Sequence, residues 1–258
     1  MAPRQVNDRS RAVLRVGPGP SIEEMRSTGA VAFRPTAWGV WMVGAAAHPI
    51  GGDRLLLRLA LRSHCRLQVR SVGATVARRG AGPSVSAAAV RIGDGSFLDW
   101  DPEPGVAASG SNHITETRVR MGAGACLRWR EEFVLGRYGE DPGTWTSRMR
   151  VSIEGRVALC SELSAGPDSP SWNSSATLAG ARAVSTLLLF DPDPSRLPPG
   201  GRFDGPDAMA VALPLPGSGV QVTAWGDELG ACRSAVERLS CQLRGHPRGS
   251  GRHSLLPS

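Results

Sequence analysis

Residues 54–62 constrain the fold more than any other stretch. Leu55, Leu57, Leu59 and Leu61 fall on one side of a two-residue repeat, and Arg54, Arg58 and Arg62 fall on the other. A strand with one buried face reads this way. After Ser63-His64-Cys65 the apolar side continues in Leu67 and Val69, opposed by Arg66, Gln68 and Arg70. The spacing predicts that the two runs form a hairpin. The same alternation predicts strands at 85–92, 114–121, 125–135 and 145–153, and at 156–162 after the turn Glu154-Gly155. The run 176–190 holds a buried strand around Ser185–Phe190. A Pro/Gly-rich loop at 191–205 leads to shorter strands at 208–213 and 219–225.

One stretch has helical spacing. Leu229, Cys232, Val236, Leu239 and Leu243 recur at three or four residues, which predicts a helix over 227–244 with Asp227 placed as its cap. Residues 22–26 read as one helical turn within a flexible arm, 1–26. A single β-rich domain spans 27–244, and 245–258 reads as a flexible tail. The 32 Gly and 20 Pro favour many turns over long helices. Periodicity gives an all-β domain with a C-terminal helix.

Charge and composition exclude several functions. All 30 basic residues are Arg. A P-loop needs a Lys on the phosphates and a Schiff-base enzyme needs a Lys amine, so neither chemistry is open to this chain. The Arg residues are scattered, and only 5% of residues are aromatic. A nucleic-acid site would cluster both, so nucleic acid is not an expected partner, and an acidic protein surface suits distributed Arg better. No apolar run approaches the ~18 residues of a membrane span, and 1–8 lacks the apolar core of a signal peptide. The expectation is a cytoplasmic protein with no membrane association.

The five Cys (65, 126, 160, 232, 241) and five His (48, 64, 113, 246, 253) form no C-x-x-C, H-x-H or H-x-x-x-H pair. A tightly bound metal or cofactor is therefore not expected. His64 and Cys65 are weak metal candidates, able to share an ion only within a turn. Cys126 and Cys160 read as small core residues, and Cys232 as part of the helix stripe. Glu131 is the odd acid: it shares parity with Leu127, Trp129, Phe133 and Leu135, so alternation turns it inward, where a carboxylate needs a partner or a channel. Glu132 shares parity with Arg128 and Arg130 and reads as part of an exposed ladder. Arg137 and Glu140, flanking Tyr138-Gly139, read as an ion pair that fixes a turn. The rival to a binding role is a β-rich hydrolase using paired carboxylates such as Glu103 with Glu132. No G-x-S-x-G elbow is present.

Three segments occur in order: Trp100-Asp101-Pro102-Glu103-Pro104, then T-E-T-R-V-R at 115–120, then E-E-F-V-L-G-R-Y-G-E-D-P-G at 131–143. Together they resemble the urease accessory protein D family (UreD, also UreH), which carries a similar Trp-x-Pro-Glu-Pro turn and a later Glu-x-x-x-Leu-Gly-Arg turn. The resemblance starts near Gly51-Gly52-Asp53, passes through Gly73-Ala74-Thr75 and is clear to about Leu163. It implies a mostly β fold of irregular, stacked, β-helix-like sheets with one or two flanking helices. It also implies a non-enzymatic role in binding urease apoprotein and the UreF-like and UreG-like accessory proteins. The GTP chemistry would then belong to the UreG-like partner. Nickel would pass transiently through a solvated internal path, with Asp53, Trp100, Glu103, Glu131, Glu132, Arg137 and Glu140 as candidate path or partner residues. Carboxylates suit such a route because they hold nickel more weakly than thiolates do.

Overall fold

The structure is a computed structural model that describes residues 9–241 apart from Pro20. The expected tail at 245–258, Leu243, His246 and His253 lie outside the described residues. The first strands are β1 (Arg9–Val16), β2 (Ile22–Thr28), β3 (Val31–Thr36), β4 (Gly39–Gly44), β5 (Arg54–Leu61) and β6 (Arg66–Ser71). The middle of the chain adds β7 (Thr75–Ala77), β8 (Ser84–Ile92), β9 (Phe97–Trp100), β10 (Gly105–Ala107), β11 (Asn112–Met121) and β12 (Cys126–Leu135). The last are β13 (Thr144–Ile153), β14 (Arg156–Ala165), β15 (Ala183–Phe190), β16 (Gly201–Asp204), β17 (Ala208–Leu215) and β18 (Gly219–Gly226), followed by helix α1 (Leu229–Cys241). No described helix is long and apolar enough to cross a membrane.

The strands form two stacked sheets in a solenoid-like coil. One runs β14-β13-β11-β8-β5-β1-β2, and the other runs β16-β17-β18-β15-β12-β9-β6-β4-β3 with β7 and β10 beside β12. Successive coils of about 30 residues put Arg54 beside Val85, Ser84 beside His113 and Asn112 beside Thr144, all in parallel. The second sheet keeps the same step: Arg66 lies beside Phe97, and Phe97 beside Cys126.

The expected hairpin is therefore corrected. β5 and β6 lie in different sheets, and each pairs with its counterpart one coil later. Both runs do bury their apolar side, but they bury it against each other across the interior. Leu14, Leu59, Val90, Val119 and Val151 from the first sheet meet Leu67, Leu98, Leu127 and Leu188 from the second. The stacked turns explain His64. It adopts φ 59°, and the equivalent positions of the next two coils are Gly95 (φ 62°) and Gly124 (φ 63°). Its ring lies where a side chain on Gly95 would go.

The described part of the expected arm 1–26, with its helical turn at 22–26, instead forms β1 and most of β2. Ala12, Leu14 and Val16 are buried, and β1 pairs with β5 along its whole length. Helix α1 starts at Leu229, with the Cys232 N–H donating to the Glu228 carbonyl, so Glu228 rather than Asp227 holds the capping position. Cys232, Ala235, Val236 and Leu239 pack on Leu187, Ala210, Ala212, Val222 and Ala224, on the outer face of the second sheet. Cys232 is core as expected and Cys126 is half-buried. Cys160 is exposed, because it faces solvent on the edge strand β14.

Candidate functional site

The Trp-Asp-Pro-Glu-Pro turn makes a break in the second sheet. β12 pairs with β9 over Cys126–Trp129 and with β10 over Phe133–Leu135. Between them, Pro102 and Pro104 have no N–H to offer, so no neighbouring strand covers Arg130–Glu132 on that side. Trp100 and Trp129 stack at one edge of the break, centroids 4.6 Å apart and planes within 4°. Trp145 closes the other edge and occupies the space a side chain on Gly105 would need. Gly105→Ala is expected to lose about 1–3 kcal/mol of stability in a urea titration, since the ring must move or the strand must shift.

A cavity of about 400 Å³ sits behind this window. It touches Glu103, Arg130 and Glu132 of the outer face as well as His48, His113, Thr115, Glu131 and Trp145 of the interior. Inside it, Glu131 points where parity turns it. Thr115 donates to one carboxylate oxygen at 2.6 Å and Ser147 to the other at 2.8 Å. No cation pairs with it among the described residues. Burial raises its pKa, and the two hydroxyl donors temper the rise. Its remaining exposure faces cavities: it lines the first and also a second of about 220 Å³ that reaches Thr186, Gln221 and Thr223. One carboxylate thus lines two cavities, each partly open to solvent.

Two imidazoles share the first cavity, and sequence reasoning missed both. His113 is 1% exposed, tilted against Trp145 and 2.8 Å from the Ser84 hydroxyl through Nδ1. Burial, with a smaller contribution from His48, lowers its pKa to about 3, so it is neutral at physiological pH. His48 keeps Nδ1 3.2 Å from Asp53, and its Nε2 is buried with no hydrogen-bond partner among the described residues. Burial lowers its pKa and Asp53 opposes that. Asp53 also accepts from the Ile50 N–H at 2.8 Å, so it fixes the turn and the ring together. Isolated His residues without metal-ligand spacing carry no sequence signal for this arrangement. Among the described residues no three His, Cys, Asp or Glu side chains converge as a metal cage.

Glu132 is not part of an exposed ladder, because α1 covers that face. Its side chain is fully buried and accepts from Ser185 at 2.7 Å and from Arg233 at 2.6 and 2.8 Å, with Arg130 at 3.3 Å. Glu103 is exposed and reaches the same Arg233 at 3.8 Å. Sharing one guanidinium leaves this pair unlike the free acid and base of a glycosidase. Arg128 and Arg130 are neutralised in turn by Asp99, Asp101 and Glu237. Arg137 grips Glu140 with two side-chain bonds of 2.8 and 2.9 Å and one backbone bond of 3.0 Å, which holds the Glu140 pKa down to about 2. The Arg182 guanidinium ties the turn to the carbonyls of Leu135 and Glu140. His64 is exposed, whereas Cys65 is buried and donates to the Gly17 carbonyl at 3.0 Å. Burial raises its thiol pKa, and the two side chains differ in exposure rather than sharing one face of the turn.

The chain matches the family described as UreD urease accessory protein over residues 31–257, including the C-terminal third, where the likeness by motif is loose. It is 39% identical over 250 residues to urease accessory protein UreD 3 of Streptomyces griseus subsp. griseus, covering 91% of this chain and 96% of that one. The Streptomyces avermitilis urease accessory protein UreD is 37% identical over 247 residues, covering 90% and 97%. That of Frankia casuarinae is 39% identical over 228 residues, covering 79% and 71%. The chain belongs to the UreD urease accessory protein family.

Proposed function

We propose that this protein is a non-enzymatic scaffold of urease maturation, acting in the cytoplasm. It binds the urease apoprotein together with UreF-like and UreG-like accessory proteins and hands nickel on toward the urease active site. The observation that carries this reading is Glu131, an unpaired carboxylate facing two cavities behind a window in the sheet. In this reading a nickel ion enters past Glu103, passes the neutral imidazoles of His48 and His113 and the Glu131 carboxylate in turn, and leaves again. Few and weak ligands at each step suit cargo, because a full cage of thiolates would release it slowly. The UreG-like partner supplies the GTP chemistry, in keeping with the absence of Lys and hence of a P-loop.

The test is co-expression of the tagged chain with the urease subunits and accessory proteins of its own cell. Purified complexes are expected to contain apoprotein and the UreF-like protein, and deletion of the chain is expected to leave urease nickel-poor and inactive. Full urease activity after deletion, with neither protein retained, would end this reading.

A further inference from the structure

Among the described residues, nothing covers the outer face of the first sheet. β1, β5, β8, β11 and β13 lie side by side in parallel, and parallel sheets are ordinarily covered on both faces. Here one face meets the second sheet, while α1 packs on the far side of that second sheet. The open face carries Arg11, Arg58, Arg91, Arg118, Arg120 and Arg150, all exposed. Register sets them in rows: Arg120 lies beside Arg91, and Arg118 beside Arg150, with Ala89 between Arg118 and Arg58. None of the six makes an ion pair with a described residue. Most of them line a shallow depression of about 820 Å³ with small residues between them.

We propose that this face docks a folded protein with an acidic surface. The terminal stretches of the sequence carry little negative charge to neutralise this face: residues 242–258 contain no Asp or Glu, and residues 1–8 contain one, Asp8. A second copy would set Arg rows against Arg rows, which like-charge repulsion disfavours. Nucleic acid fits less well, because none of the exposed residues on the strands of this face is aromatic and able to stack on a base. Glu23, Glu24, Glu116 and Glu162 also punctuate it, each already held by an Arg. Such a mixed rim around unpaired Arg suits carboxylates of a protein partner, which guanidinium groups take bidentately.

Since the inference rests on the maturation role for its partner, the test uses purified urease apoprotein and the purified UreF-like protein of the same cell. Affinities are measured by interferometry for the wild-type chain and for Arg118→Glu/Arg150→Glu, with Arg202→Glu on β16 as a control. Wild type is expected to bind at least one of the two proteins more weakly as salt rises, and the double reversal is expected to cost about tenfold or more in affinity. The control should bind as wild type does, and all three should melt alike, because Arg118 and Arg150 are exposed and make no ion pair with a described residue, and Arg202 makes only an exposed surface pair with Asp204 at 2.8 Å. Unchanged affinity in the double variant overturns the docking face and leaves the maturation role standing. No binding of either protein by wild type overturns both. Binding instead to a DNA duplex or to phosphatidylserine vesicles, lost in the double variant, overturns the acidic-protein assignment.

Discussion

Arg130→Ala is expected to destabilise the protein by about 3–5 kcal/mol, the range for removing one partner from a buried ion-pair cluster. The Arg130 guanidinium bridges three carboxylates: Asp101 at 3.1 Å, Glu132 at 3.3 Å and Glu237 at 2.5 Å. Its side chain is 7% exposed and that of Glu132 is 0% exposed, so water cannot take over the lost contacts there. Without it, Glu132 keeps Arg233 and the Ser185 hydroxyl, but it faces two further acids across a void. Asp101 and Glu237 are partly exposed and can turn to solvent, so most of the loss belongs to Glu132. The link from β12 to α1 through Glu237 is lost as well. Lysine is not an adequate replacement, because one ammonium cannot present a planar fork to three acceptors. Urea denaturation of wild type, Arg130→Ala and Arg130→Lys reads the effect. A loss below about 1 kcal/mol would place the cluster in the range of exposed pairs and remove its role in anchoring α1.

That cluster shows where sequence reasoning stops. Alternation along β12 sorts Glu131 from Glu132, and the structure keeps that sorting. What alternation cannot state is whether the second face meets water. Glu132 is buried because α1, a hundred residues later in the chain, lies over it. The same blindness made β5 and β6 look like a hairpin: a hairpin and a two-sheet coil bury the same alternate residues. Only the partner's position, one coil of about 30 residues away, separates them. β1 carries a usable pattern in Ala12, Leu14 and Val16, but it is short and stops at Gly17-Pro18. The Arg137–Glu140 turn was legible because both partners sit within four residues. His48 and His113 were not, since their meeting in one cavity depends on the stacking of coils.

Glu131→Gln is expected to make the protein more stable at neutral pH and poorer at activating urease. In the unfolded chain this carboxyl titrates near its ordinary value of 4.5, and in the folded protein burial raises the value. The folded state therefore binds the proton more tightly. That contribution to stability is fully present below pH 4.5 and is lost as pH rises through the folded-state pKa. Glutamine has no charge to bury, so the variant should match wild type in acid and exceed it progressively as pH rises. Each kcal/mol gained corresponds to roughly 2–4 °C in Tm for a domain of this size. Gln can still receive a hydroxyl hydrogen bond through its carbonyl oxygen, so the Thr115 and Ser147 contacts do not force a collapse. The functional arm runs the other way. If the carboxylate eases the passage of a cation by about 1.4 kcal/mol, its loss slows nickel loading of urease on the order of tenfold. A variant that gains stability while losing loading separates the two, since misfolding would lower both. Gain of stability with unimpaired loading would take Glu131 out of the proposed nickel route. Lower stability at every pH would contradict the buried, reluctantly ionised carboxylate on which the route depends.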